Sequence, residues 1–114
     1  MERNVMWFPW DDPGLEHLRL AMDNEKILAD GMILRVKDGN SFRAHYKIRC
    51  DSAWRVREAD ISLLDSNSQS IRLRADGKGR WTDDSGNLIP SLDGCIDVDI
   101  SITAFIRIRF RFAE

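Results

Sequence analysis

Apolar and polar residues alternate along much of the chain, which is the period of a β-strand rather than that of a helix. In residues 41–50 the alternation is strict, as in a strand with one buried and one solvated face. The apolar positions of this segment are Phe42, Ala44, Tyr46, Ile48 and Cys50. Shorter alternating segments lie at residues 15–22, 32–37, 71–75, 95–103 and 105–112.

Two neighbouring segments predict specific strand geometry. Residues 32–37 and 41–50 flank Asp38-Gly39, a dipeptide typical of tight hairpin turns, so they predict a β-hairpin. In residues 53–64 the apolar parity changes near Arg57-Glu58. A β-bulge at this point would add one residue and keep the same apolar face. Two further apolar rows are Leu18, Leu20 and Met22, and Met32, Leu34 and Val36.

The pattern predicts an all-β protein. We find no helical period longer than a turn, no repeat and no low-complexity linker, so residues 1–114 are expected to form a single domain. The spacing predicts an antiparallel, strongly curved sheet of seven or eight strands. Small chains with strands at this spacing usually form barrels or sandwiches.

Composition excludes several classes of protein. The apolar share of 43% and the charged share of 32% are typical of a folded soluble chain. The net charge of −2 gives no general attraction to nucleic acid. No stretch is apolar and long enough to span a membrane, and the N-terminus lacks the pattern of a signal peptide. We therefore expect a cytoplasmic protein with two reduced, buried thiols, Cys50 and Cys95.

Charged residues on the solvated faces have two interpretations. Arginines follow several predicted strands, while Asp97 and Asp99 share one face of another strand. In the first interpretation, the aspartates are counter-ions for an arginine row, as in exposed cross-strand pairs. Alternatively, they line a polar site at the mouth of an apolar groove, where arginine, carboxylate and tryptophan hold a polar head group. The residues of this candidate site are Asp97, Asp99, Arg57, Arg80 and Trp81.

Catalytic and metal chemistry have little support in the sequence. The two histidines, His17 and His45, have no nucleophile motif beside them, and no phosphate-binding glycine loop is present. Asp93 could join the two aspartates around a cation, but calcium needs six or more oxygen ligands. The prediction is a protein that is not an enzyme and has no catalytic residue, metal or cofactor.

Four motifs, in this order and spacing, resemble a bacterial family described as "putative glycolipid-binding". They are "DDPGLEHLRL" (11–20), "IRCDSAWRVR" (48–57), "DGKGRWTDDSG" (76–86) and "LDGCIDVDISIT" (92–103). The resemblance implies an incompletely closed, barrel-like β-roll with an open apolar groove, similar to bacterial lipoprotein carriers. The family's recurrent polar residues correspond here to Asp51, Trp54, Arg57, Arg80, Trp81, Asp93, Asp97 and Asp99.

The resemblance and the candidate polar site together give a functional prediction. We expect a lipid or glycolipid-like amphiphile to bind in the open groove. The predicted ligand-binding residues are Trp54, Arg57, Arg80, Trp81, Asp97 and Asp99. Two alternatives stay open: an uncharacterised enzyme that uses Asp97 and Asp99, and a structural or interaction protein without a small ligand.

The end of the chain departs from the family pattern. In the family the strand continues as Thr-Pro-Phe-Thr-Asn-Thr-Leu-Pro-Ile-Arg-Arg and further strands follow, whereas here residues 106–114 read "IRIRFRFAE". A permitted set of codons for these residues, read two bases further on, encodes Thr-Asn-Thr-Leu-Pro-Ile-Arg-Arg. We therefore expect residues 106–114 to be an out-of-frame tail on the N-terminal part of a larger fold. The uncovered sheet edge of such a truncated chain would favour a homodimer.

Overall fold

Nine β-strands contain most of the residues that the structure describes. The computed structural model describes residues 1–10, 13–64, 69–102 and 106–112, and for residue 37 and residues 96–112 it describes the backbone alone. The strands are β1 (Glu2–Trp7), β2 (Gly14–Met22), β3 (Lys26–Lys37), β4 (Asn40–Asp51), β5 (Val56–Leu63), β6 (Ser70–Ala75), β7 (Trp81–Thr82), β8 (Cys95–Ile102) and β9 (Ile106–Phe112).

Strands β1 to β7 form one antiparallel sheet in which each strand pairs with its neighbour in sequence. Strands β8 and β9 form a separate hairpin. The seven-stranded sheet ends at β1 and β7 and is therefore open. This confirms the predicted all-β, antiparallel, incompletely closed fold. Residues 106–112 form strand β9. An alternating sequence can form a strand whether or not it is translated in frame, so the out-of-frame origin of residues 106–114 stays a prediction.

The predicted hairpin is confirmed between β3 and β4. Lys37 pairs with Asn40, so the loop contains two residues, Asp38 and Gly39. Their φ angles are +53° and +78°. Positive φ at both central residues is the requirement of the hairpin turn whose twist matches that of the strands.

The predicted bulge is confirmed in β5. Arg49 of β4 pairs with Glu58, while the next residue, Cys50, pairs with Val56, so Arg57 is the extra residue. Because of this insertion, Val56 and Ala59 lie on the same face although they have opposite parity in sequence. Both are buried.

The sequence pattern did not predict β1 or the first half of β3. Strand β1 begins with Glu2, Arg3 and Asn4 and is exposed throughout, so it has no alternating apolar row. The first half of β3 has the small residues Ala29 and Gly31 on its apolar side. Small residues there give a weak alternation signal, although the ladder with β2 and β4 is continuous.

The core lies on one face of the sheet, called here the inner face, which carries Ala44 and Ile61. Its two clusters of buried residues lie mainly on β4 to β7. One consists of Ala44, Tyr46, Ile61 and Leu63, and the other of Val56, Ala59, Leu73, Trp81 and Cys95. Leu18, Leu20 and Met22 of β2 lie on the same face, because they pair with Gly31, Ala29 and Ile27.

The apolar row of Met32, Leu34 and Val36 lies on the opposite, outer face. Met32 pairs with His45 and Leu34 with Arg43, both on the polar side of β4. All three apolar side chains are exposed. The alternation in β3 therefore correctly indicates a strand, but its apolar row is not the buried one. Ile33, which has the opposite parity, packs against the core.

Candidate functional site

The inner face is only half covered at β1 to β3. Val5 and Trp7 of β1 are 40% and 42% exposed, respectively. They pair with Leu18 and Glu16 of β2, which are partly buried. Apolar side chains thus extend from the buried core of β4 and β5 to the edge of the sheet. There Leu18, Val5 and Trp7 form a partly accessible apolar surface, called here the strip.

A cavity of about 110 Å³ lies at one end of this strip. Its lining combines Trp7, Glu16, Ile33 and Arg35, which have inner-face register, with Pro9 and with Leu15 and Leu34, which have outer-face register. Five of these residues are apolar, and the carboxylate of Glu16 and the guanidinium of Arg35 supply the charges. Apolar pockets with a few polar groups are the usual form of small-ligand sites.

The polar end of this strip is fixed by a hydrogen bond across β3. The hydroxyl of Tyr46 donates to Glu16 Oε2 at 2.6 Å. Gly31 allows this contact, because a Cβ at residue 31 would lie 2.0 Å from Tyr46 Cζ. Burial, reinforced by the Glu16 carboxylate, raises the pKa of Tyr46 well above its ordinary value.

The predicted ligand-binding residues do not all have the expected exposure. Trp81 is 1% exposed, and its indole N–H donates to the carbonyl of Cys95 at 2.9 Å. Strand β7 turns this ring into the core beside Leu73, so it offers no open face to a sugar. The prediction that Trp81 contacts a polar head group is therefore wrong for the ring of Trp81, which is enclosed by the core.

Three other predicted ligand-binding residues lie in or beside the loops that connect β4 to β5 and β6 to β7. Arg57 Nε donates to the carbonyl of Ala75 at 2.9 Å, which ties the bulge to the end of β6. Arg80 is exposed. Trp54 lies in the loop between β4 and β5 and is 60% exposed. Their binding of a ligand stays a prediction.

The side chains of Asp97 and Asp99 lie outside the described part of the structure. The backbone register of the β8–β9 hairpin pairs residue 97 with Arg111 and residue 99 with Arg109. Opposite charges thus occupy facing register positions within this hairpin. Ligand binding by the two aspartates stays a prediction.

The arginine row of the outer face has carboxylate partners that were not predicted. Glu58 lies between two arginines, with Arg49 Nε 3.2 Å and Arg74 Nη1 3.1 Å from its carboxylate oxygens. The hydrogen bond from Arg49 holds the pKa of Glu58 below its ordinary value. Arg72 lies 3.8 Å from both Asp60 and Asp84. The alternating Glu and Asp of β5 were the sequence signal for these pairs.

A polar depression of about 390 Å³ lies on the same outer face. His45 at its rim approaches Asp30 Oδ1 with Nε2 at 2.7 Å. Sequence reasoning missed this pair because the half of β3 that carries Asp30 was not predicted as a strand. The lining is His45, Lys47, Asp60, Ser62, Ser70, Ile71, Arg72 and Asp84. Its mixed donors and acceptors can bind a polar group by hydrogen bonds.

Three surface loops share one hydrogen-bonding scheme that the sequence analysis did not recognise. They begin at Asp51, Asp76 and Asp83. In each, the aspartate Oδ1 accepts the backbone N–H groups two and four residues later. In each, the aspartate N–H donates to the carbonyl four residues later. Hydrogen bonds from the loop backbone lower the pKa of Asp76 and of Asp83. For Asp51 burial is the largest single effect and would raise the pKa, but the hydrogen bonds from Arg55 and Ala53 together outweigh it and lower the pKa.

Cys50 and Cys95 do not form a disulfide, and Cys95 is buried whereas Cys50 is partly buried. Burial raises the pKa of the Cys95 thiol, with a smaller contribution from Asp93. Among the described residues, no three His, Cys, Asp or Glu side chains are grouped as metal ligands would be. The same residues contain no helix that is long and apolar enough to span a membrane.

The fold and the strip define an open antiparallel β-sheet protein with a half-covered apolar face. The sequence profile of the family described as "putative glycolipid-binding" matches residues 4–108. The chain therefore belongs to this family, as the four motifs indicated. No curated protein matches the chain.

A solved structure is similar over most of the chain. It is the crystal structure of a DUF1089 family protein from Pseudomonas aeruginosa, 26% identical in sequence, with a TM-score of 0.59. The match covers 82% of this chain and 50% of the other chain. The present chain thus corresponds to about half of that structure.

Proposed function

We propose that this protein binds a lipid or glycolipid-like amphiphile on its inner face, without a chemical reaction. The observation that carries the proposal is the accessible apolar strip of β1 to β3 beside Val5 and Trp7. An acyl chain on this strip would remove apolar surface from water, which is the main favourable term in such binding. The description of the family supports the same class of ligand.

The polar groups at the end of the strip support an amphiphile over a purely apolar ligand. Glu16 and Arg35 line the cavity beside Trp7, and Tyr46 fixes the Glu16 carboxylate. A purely apolar ligand would cover these charges without giving them hydrogen bonds and would lose affinity, because unpaired buried polar groups are costly. Hydroxyl groups can both donate to the carboxylate and accept from the guanidinium.

The test compares two neighbouring residues on opposite faces of β1. Val5 pairs with Leu18 on the inner face, and Met6 pairs with His17 on the outer face. We expect Val5→Gln to weaken binding of dodecyl maltoside, below its micelle concentration, by roughly fivefold, since about 1 kcal/mol of apolar contact is lost. Met6→Gln should leave the affinity unchanged. Isothermal titration measures both, and equal effects of the two changes would contradict the proposal.

The two rival functions predict other results. An enzyme that uses Asp97 and Asp99 would lose an activity on Asp97→Asn or Asp99→Asn and would show no amphiphile in mass spectra of its extracts. A structural or interaction protein would also be empty and would retain a protein partner in pull-downs. The homodimer through a sheet edge stays a prediction that sedimentation can test.

A further inference from the structure

The three loops that begin at Asp51, Asp76 and Asp83 share a backbone conformation at one position but hold different types of residue there. The position three residues after the aspartate has a positive φ in each loop: +97° at Gly79, +85° at Gly86 and +64° at Trp54. Glycine adopts a positive φ without steric cost, whereas a residue that has a Cβ is disfavoured there. The loop between β4 and β5 therefore holds a bulky aromatic residue where its sister loops have glycine.

Contacts within the loop do not account for a tryptophan at this position. The loop closes with the same hydrogen bonds as the loop at Asp83, which has Gly86 at the equivalent position. The Trp54 side chain is 60% exposed, so most of its ring lies in water rather than in the core. A strained backbone position that displays an exposed ring indicates a role in contacting something outside the chain.

The surroundings of Trp54 suit a ring with hydroxyl groups. Arg55 Nε donates to Asp51 Oδ2 at 2.9 Å and Nη1 donates to the carbonyl of Gly77 at 3.4 Å. These contacts hold the guanidinium in place. The guanidinium has five N–H donors, so donors that these two hydrogen bonds do not use can bind a ligand. A hollow of about 30 Å³ lies between this loop and the loop at Asp76, lined partly by Arg55, Gly77 and Gly79.

We infer that Trp54 is the stacking surface for the sugar ring of a glycolipid-like ligand, with Arg55 as a hydrogen-bond donor beside it. This inference rests on the proposed amphiphile binding and places a sugar ring at the loop between β4 and β5, which follows the end of β4, whereas the cavity of Glu16 and Arg35 lies near its start. Tyr46 of β4 is aligned with Val5 across three strand spacings, about 14 Å, and the loop begins five residues further along β4 at Asp51, about 17 Å away. The direct distance from the loop to Val5 is therefore about 22 Å, which a sugar and its acyl chain span together. The tail then lies on the inner face toward Val5, while the head group contacts Trp54.

The test separates the aromatic face from the strain. Trp54→Leu keeps a side chain at the positive φ but removes the ring, and Trp54→Tyr keeps an aromatic face. Gly86→Trp places a tryptophan at a positive φ in a sister loop, where a Cβ meets no atom within 4 Å. The probes are dodecyl maltoside and dodecanoate, which share a tail and differ in the sugar. Isothermal titration gives the affinity, and urea unfolding shows that each variant is folded.

We expect Trp54→Leu to weaken binding of dodecyl maltoside about tenfold and to leave dodecanoate unchanged. Trp54→Tyr should retain most of the maltoside affinity. Gly86→Trp should lower the unfolding midpoint and leave both affinities unchanged. Equal effects of Trp54→Leu on the two probes, or none on either, would overturn the inference while amphiphile binding stands. If neither probe binds the unaltered protein, the proposed function fails together with the inference.

Discussion

The hydroxyl of Tyr46 on β4 reaches Glu16 on β2 by crossing the intervening strand at Gly31, and the resulting hydrogen bond is 2.6 Å long. Tyr46 is 8% exposed and is the only tyrosine of the chain. The contact joins the buried core to the accessible strip and orients the carboxylate that lines the cavity. One residue thus has both a packing role and a polar role at the proposed site.

The first prediction concerns the ionisation of Tyr46. Burial, and then the hydrogen bond to Glu16, raises its pKa above the ordinary value of 10.0. Because the neutral phenol is favoured in the folded state, this contribution to stability is complete below about pH 10 and is lost as the pH rises further. The ultraviolet absorbance of tyrosinate should appear at a higher pH in the native protein than in urea.

Glu16→Gln gives the matched variant for this titration. It removes the carboxylate and leaves the burial, so the pKa of Tyr46 should fall toward the ordinary value without reaching it. An unchanged titration in Glu16→Gln would show that burial alone sets the shift.

The second prediction is that Gly31→Ala destabilises the protein by about 1–3 kcal/mol, as in other overpacked cores. The new Cβ would lie 2.0 Å from Tyr46 Cζ, so the ring must leave its position over β3. Urea unfolding measures the loss. In a Tyr46→Ala background the same change should cost much less, and additive costs would show that the ring is not the obstacle.

The sequence predicted the strands that have one strong apolar row, and the reason is visible in β4. Its row from Phe42 to Cys50 packs into the core, and its turn residues Asp38 and Gly39 adopt the conformation that a two-residue hairpin needs. The bulge at Arg57 was predictable because a change of apolar parity within one strand indicates an inserted residue.

The remaining features depend on contacts between strands, which a single sequence does not display. Met32 and Ile33 are equally apolar, and only the register with Ala44 decides that Ile33 faces the core. Trp81 and Trp54 are likewise the same residue type, yet one is buried beside Cys95 and the other is exposed on a loop. Their exposure follows from strand direction and loop geometry, so the sequence analysis included both among the predicted ligand-binding residues.

The third prediction concerns acid stability and the loops. Hydrogen bonds from the backbone N–H groups of Lys78 and Arg80 hold the pKa of Asp76 below 3.8. A depressed carboxyl pKa contributes stability above the ordinary value that is lost as the pH falls below it. Asp76→Asn keeps an oxygen for the same N–H groups and removes the ionisation. Its free energy of unfolding should therefore fall less steeply than that of the unaltered protein below about pH 3.8.

Asp83→Asn provides a second case for the acid measurement, because Asp83 has the same contacts in its own loop. Urea unfolding at a series of pH values should show the shallower dependence in both variants. Identical pH dependence in the variants and the unaltered protein would mean that these loops unfold before the rest of the structure.

The last prediction concerns the attachment of β8 to the sheet through Trp81 and Cys95. The indole N–H of Trp81 donates to the carbonyl of Cys95, and Gly94 N donates to the carbonyl of Gly79 at 2.7 Å. Trp81→Phe keeps an aromatic ring but removes the first donor, so we expect a loss of about 1–2 kcal/mol in the free energy of unfolding. Trp81→Ala should cost about 3–5 kcal/mol, because it also leaves a cavity.

Thiol labelling distinguishes detachment of β8 from a general loss of stability. Cys95 is buried and its pKa is raised, so its thiol should react slowly with maleimide in the native protein. In a Cys50→Ser background, Trp81→Phe should accelerate this reaction at urea concentrations where the seven-stranded sheet remains folded by circular dichroism. If labelling accelerates only in step with global unfolding, β8 and the sheet form one cooperative unit and the Trp81 contact is not a separate attachment.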